Sequence, residues 1–210
     1  FLAYNEKHKI IVVSNRGSDS FSNFMSNIFF WKTEVNWQQI VHAGFEDVYA
    51  GLRIKIQPTL KTLVDKYPDF EIIFTGHSLG GAIATMAAVD FIELYGYEYA
   101  SRISLYTYGQ PRIGNKEWAD YVQNLPFMQR SYRIQHFGDP AVQIPFQKMG
   151  YFHSGQQYTL QSDQIKQIYT TKKCVVSGPA GESDECLNAD AKKWNRAAHS
   201  QYYGWDGVCY

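Results

Sequence analysis

Short apolar runs alternate along this chain with stretches in which apolar residues recur every three or four positions. The runs at 10–15 (IIVVSN), 70–75 (FEIIFT), 103–109 (ISLYTYG) and 131–138 (SYRIQHFG) read as strands, and a further strand-like passage lies around VNWQQIVHAGF. Between them, Phe45, Val48, Leu52, Ile56, Leu60, Leu63, Val64 and Tyr67 keep helical spacing, with Pro58 expected to kink or divide that helix. An Ala-rich helix follows Gly76–Gly81 and ends at Gly96, and another helix is expected near Lys116 to Gln123. QQYTL and IKQIYTT read as later strands that can pair antiparallel. Strand–helix alternation of this kind predicts an α/β fold, a mostly parallel sheet with helices on both faces. In such sheets the reacting groups lie beyond the carboxyl ends of the strands.

One helical stripe stands apart. Phe21, Phe24, Met25, Ile28 and Phe29 fall at i, i+3, i+4, i+7 and i+8, with only small polar residues between them. The plain reading is a helix packed on the core. Composition narrows the picture further. A chain of 210 residues suits one domain with a full core, and 20 Lys plus Arg balance 20 Asp plus Glu. That balance, without a basic run, argues against nucleic acid as a partner. No apolar segment reaches membrane-spanning length, so a soluble single domain over 1–210 is expected, its first elements trimmed away. Of the three cysteines, Cys174 and Cys186 bracket a loop whose Gly and Pro would let its ends meet, leaving Cys209 without a partner; three reduced thiols are the other option.

The chemistry concentrates at Gly76-His77-Ser78-Leu79-Gly80, a G-x-S-x-G between a buried strand and a small-residue helix. The sharp turn would lift the Ser78 hydroxyl above the sheet as a nucleophile. A serine needs a base, and the base an orienting carboxylate, in the chain order Ser, acid, His. Asp139, in a turn just past a strand, is the best-placed acid; Asp163, Asp184 and Asp190 lie in polar segments. His199, late and free to fold back, is the expected base. His153 is read as a hydrogen-bonded structural residue within a strand, His42 as structural, and His77 as directed differently from its neighbour Ser78 by the elbow. The oxyanion would be met by the Leu79 N–H at the helix start and by Ser18, brought in after IIVVSN by Gly17. No H-E-x-x-H or similar spacing appears, so no metal and no other cofactor are expected.

Taken together, IVVSNRGS, VHAGF, YPDFEIIFTGHSLGGAIA, YTYGQPRIGN, HFGDPAVQIP, GYFHSG and AHSQYYG resemble the class 3 lipases of the filamentous-fungal triacylglycerol lipase type, over almost the whole chain. The resemblance implies an α/β-hydrolase fold, a triad of Ser78, Asp139 and His199, and Ser18 as the oxyanion residue. It also implies a Cys174–Cys186 disulfide, a second bridge that would involve Cys209, and a mobile lid at 19–32 carrying the apolar stripe. Two departures are Asn15, where an aromatic residue is usual, and DPAVQIP, which lacks a common second proline; either would shift the substrate groove. Five large side chains are worth roughly 7–15 kcal/mol of burial, so the stripe needs a partner: the groove when closed, a lipid surface when open. The expected activity is therefore hydrolysis of acylglycerols at a lipid–water interface by a secreted, monomeric enzyme. The competing expectations are phospholipase A1 or feruloyl-esterase activity on the same scaffold, and an inactive lipid-binding protein.

Overall fold

The structure, a computed structural model, describes residues 1–18, 32–36, 39–163, 168–175, 181–183, 186 and 193–204. The stripe residues Phe21, Phe24, Met25, Ile28 and Phe29, the rival acids Asp184 and Asp190, the side chain of Asp163, and Cys209 lie outside them.

The strands are β1 (Leu2–Asn5), β2 (Ile10–Asn15), β3 (Lys32–Asn36), β4 (Gln39–His42), β5 (Glu71–His77), β6 (Ile103–Tyr108), β7 (Ser131–His136), β8 (Gln157–Asp163) and β9 (Ile168–Lys173). The helices are α1 (Ala43–Lys66), α2 (Leu79–Tyr95), α3 (Lys116–Gln123) and α4 (Arg196–Ser200). Seven strands form one sheet in the order β1-β2-β5-β6-β7-β8-β9, and β3 and β4 pair as a separate hairpin. Neighbours from β2 to β8 run parallel, whereas β1 and β9 close the two edges antiparallel.

Register explains the core. Ile11 lies beside Ile72 and Ile72 beside Ile103; Val13 lies beside Phe74 and Phe74 beside Leu105. All six side chains are buried. They share one face, because side chains alternate along a strand and parallel partners point the same way. Helix α2 lies against that face, and α1 packs outside α2. From Gly80 to Ile92 every residue of α2 is buried, which its small side chains permit between a sheet and a second helix. The helical layers are unequal among the described residues. On the opposite face Val12, Ile73 and Tyr106 are half-buried. There the segment after α4 brings Tyr202 onto Ile134, Leu160 and Tyr108.

Helix α1 runs through Pro58 without being divided in two. Proline deletes one backbone bond at a cost of about 3 kcal/mol. The helix offsets this by burying Phe45, Tyr49, Leu60 and Val64 on both sides of it, and the buried Gln57 donates to the Tyr49 hydroxyl and to the Ala87 carbonyl.

Candidate active site

At the end of β5 the chain reverses into α2 through Ser78, whose backbone sits at φ 57°, ψ −129°. A residue with a side chain pays about 1–3 kcal/mol for such a conformation. The glycines around it are there for space: a Cβ on Gly76 would stand 2.2 Å from the Gly80 carbonyl oxygen, and one on Gly80 would stand 2.0 Å from that of Asn15. The turn is pinned to the next strand, since the Ser78 N–H donates to the Tyr108 carbonyl at 2.8 Å. Leu79 opens the helix, so its N–H belongs to the first turn, where backbone donors have no helical acceptor. The segment Arg16-Gly17 after β2 abuts the elbow: a Cβ on Gly17 would lie 3.2 Å from the Ser78 Cβ and 2.8 Å from the His77 carbonyl oxygen.

Asp139 lies in the turn after β7 and is 1% exposed. Three donors converge on its carboxylate. His199 Nδ1 lies 3.0 Å from Oδ1 and 2.9 Å from Oδ2, Ala141 N–H donates to Oδ1 at 2.8 Å, and the Tyr202 hydroxyl donates to Oδ2 at 2.7 Å. With Nδ1–H facing the carboxylate, Nε2 of His199 is left as the acceptor that a serine hydroxyl requires. His199 is held by its own helix: Asn195 caps α4 by accepting from Ala197 N–H at 3.0 Å, and its backbone N–H donates to the carbonyl of Gly138, just before Asp139, at 2.8 Å. The structure thus brings Ser78, Asp139 and His199 to the same end of the sheet. Ser18 follows directly from the segment that touches the elbow.

Three features were not read from the sequence. The His77 ring lies 4.5 Å from that of His199, and its Nε2–H donates to the His199 carbonyl at 2.6 Å. Divergence at the elbow separates His77 from Ser78, but the base comes in over His77. Tyr202 is a third donor to the acid, and its hydroxyl also accepts from His136 N–H at 2.9 Å. The signal for it was AHSQYYG, in which Tyr202 lies close behind His199. Gly109, at φ 59°, leaves the space in which the pair meets. A Cβ there would stand 2.8 Å from Asp139 Oδ2, 3.0 Å from the Tyr202 hydroxyl and 3.1 Å from His199 Nδ1. Gly109→Ala should therefore lower ester turnover by on the order of 100-fold, the usual effect of an ångström-scale misplacement. Activity within twofold of the parent in a folded variant would show that the pair tolerates displacement.

The other histidines are structural. His42 Nδ1 caps α1 by accepting from Gly44 N–H at 3.1 Å. His153 is buried and hydrogen-bonded as expected, its Nε2–H donating to the Val142 carbonyl at 2.8 Å, but it lies in a loop rather than a strand.

Burial, then the neighbouring His199, push His77 down to about 4, against the His199 carbonyl and Asp139, which favour its protonation. In the unfolded chain it titrates near the ordinary 6.5. Below that value the unfolded state binds the proton first, so stability is fully present above 6.5 and is lost as pH falls towards 4. The share belonging to His77 is at most about 3 kcal/mol. Urea midpoints measured between pH 7 and 4 should fall less steeply in His77→Gln than in the parent, and identical slopes would remove His77 as the cause.

A parallel sheet with a strained serine between strand and helix, and a His–Asp pair at the same edge, defines an α/β-hydrolase. Residues 12–149 match the family described as lipase (class 3), and the chain belongs to that family. It is 30% identical to a secreted mono- and diacylglycerol lipase of Fusarium solani, over 100% of this chain and 61% of that relative. The native lipase–propeptide complex of Rhizomucor miehei superposes with a TM-score of 0.89 at 28% identity, covering 100% of this chain and 66% of that one. A triacylglycerol lipase whose catalytic centre is a serine protease triad gives the same TM-score, 0.89, at 28% identity, covering 100% of this chain and 77% of that structure. The chain therefore spans about three-fifths of the Fusarium relative. Cys174 and Cys186 form a disulfide, and no helix among the described residues is long and apolar enough to cross a membrane.

Proposed function

We propose that this chain is the catalytic core of a secreted serine carboxylester hydrolase that acts on acylglycerols. The observation that carries the reading is the buried His199–Asp139 pair at the edge where Ser78 is held in a strained elbow. In this mechanism Ser78 Oγ attacks the ester carbonyl while His199 Nε2 takes its proton. Asp139 holds the imidazole and offsets the charge that develops on it. The tetrahedral oxyanion is met by the Leu79 N–H and by Ser18, each such donor worth about 3–4 kcal/mol. Collapse expels the alcohol, which leaves with the proton from His199, and an acyl-Ser78 ester remains. Water then repeats the sequence and releases the fatty acid.

Acylglycerols are favoured as substrate by the apolar stripe of 19–32, read as a lid, and by the Fusarium relative, which is named for mono- and diacylglycerol hydrolysis. Secreted relatives and the disulfide favour an extracellular setting. The test is a substrate panel of tri-, di- and monoacylglycerol emulsions, phospholipid vesicles and soluble aryl esters, combined with organophosphonate labelling of Ser78. Rates that rise at the acylglycerol interface support the reading. Preference for phospholipid or feruloyl esters would move the substrate class, and an unlabelled, inert protein would leave only lipid binding.

A further inference from the structure

The turn that carries Asp139 continues through Val142, Gln143, Ile144 and Pro145, and all four of these consecutive carbonyls accept hydrogen bonds from just two residues. His153 Nε2–H donates to Val142 at 2.8 Å. Arg112 Nη1 donates to Gln143 at 2.5 Å and to Pro145 at 3.2 Å, and the Arg112 backbone N–H donates to Ile144 at 2.9 Å. Arg112 is 2% exposed, and the other edge of its guanidinium meets Glu182 in a two-pronged pair, Nε to Oε1 at 2.7 Å and Nη2 to Oε2 at 3.3 Å. Glu182 Oε1 also accepts from His153 N–H at 3.0 Å, so one carboxylate holds both residues of the clamp. Glu182 lies between Cys174 and Cys186, whose disulfide closes its loop. Arg112 itself follows shortly after Gly109, the residue in contact with the Asp139–His199 pair.

We propose that Arg112 is a positioning residue for Asp139, that Glu182 is the counter-ion keeping it in place, and that the Cys174–Cys186 disulfide fixes Glu182; this rests on the triad reading above. Burial of the guanidinium is tolerated because Nε, Nη1 and Nη2 all donate, to a carboxylate and two carbonyls, and a buried arginine without its carboxylate would be expelled or would draw in water, loosening the turn. Burial pushes the Glu182 carboxyl up, but the positive surroundings of His153, Arg112 and Arg133 outweigh it and hold the group at about 2. Burial, then Arg133, keep His153 neutral well below its ordinary range, so the two arginines supply the charge at neutral pH. A lysine cannot replace Arg112, having no planar fork to span a carboxylate and two carbonyls.

The discriminating variant is Arg112→Met/Glu182→Leu. Removing a buried pair together often leaves stability near or above the parent, so a purely structural role predicts unchanged catalysis. The proposal instead expects kcat on a soluble p-nitrophenyl ester to fall about tenfold or more, with KM within about twofold. It also expects the acid limb of kcat/KM to move to lower pH, because a displaced Asp139 stabilises the His199 imidazolium less. Glu182→Gln and Cys174→Ser/Cys186→Ser should move the same limb the same way, and their combination should fall short of the sum. A folded double variant with parental kcat and an unmoved acid limb overturns the proposal. Should that variant not fold, Glu182→Gln, which keeps the side-chain shape, is read by the same two measurements with the same consequence. Failure of the parent to label with an organophosphonate would count against the triad rather than against the clamp.

Discussion

Ser78→Ala should abolish ester hydrolysis, lowering kcat by roughly a millionfold, since a triad without its nucleophile retains only binding and oxyanion stabilisation. The substitution removes a hydroxyl but keeps the Cβ, so the strained backbone at φ 57° persists and stability should stay within about 0.5 kcal/mol of the parent. Ser78→Gly gives the complementary result. It should be equally inactive yet more stable by about 1 kcal/mol, because glycine adopts that conformation without steric penalty and loses part of the gain to its freer unfolded chain. Kinetics on an emulsified acylglycerol together with urea unfolding read both effects. Residual turnover in Ser78→Ala above the level of Ser78→Gly would place the nucleophile elsewhere.

The second large effect belongs to Asp139→Asn, for which a fall of about 10⁴ in kcat is expected. The site shows why an isosteric change is so costly. Three donors meet at this carboxylate, from His199, Ala141 and Tyr202, and an amide offers only one oxygen to accept them. If the amide nitrogen faces Oδ1's position it opposes the Ala141 N–H. If it faces Oδ2's position it opposes the Tyr202 hydroxyl, which must then turn round and accept. Either way His199 is invited into the tautomer with its proton on Nε2, where it can no longer take one from Ser78. Addition of Tyr202→Phe removes that opposed hydroxyl, though also the acceptor of His136 N–H, and should not restore turnover. Recovery of activity in that double variant would contradict the tautomer explanation.

Much of this arrangement was legible because the signals are local. The runs at 10–15, 70–75 and 103–109 are continuous and apolar, as strands covered on a face by α2 must be, and they match β2, β5 and β6 closely. The elbow announces itself through glycines that no other residue could replace at Gly76 and Gly80. β1 was missed, since LAYN is a four-residue edge strand with mostly exposed side chains and no alternation to detect. Of the kink or division expected at Pro58, the division does not occur, because a proline's local penalty is visible in sequence whereas the tertiary burial that outweighs it is not. The Arg112–Glu182 pair joins residues 70 positions apart, and neither flanking segment carries a pattern that announces a buried charge. The contact of His77 with His199 was hidden for a similar reason: the two lie 122 residues apart in the chain.

That distance also governs when the protein becomes competent. The base is delivered by 193–204, and it docks on an acid 60 residues earlier and on an elbow earlier still. All seven strands of the sheet precede Asn195 in the chain. On the triad reading, a chain cut just before Asn195 would keep those strands but lack its proton acceptor.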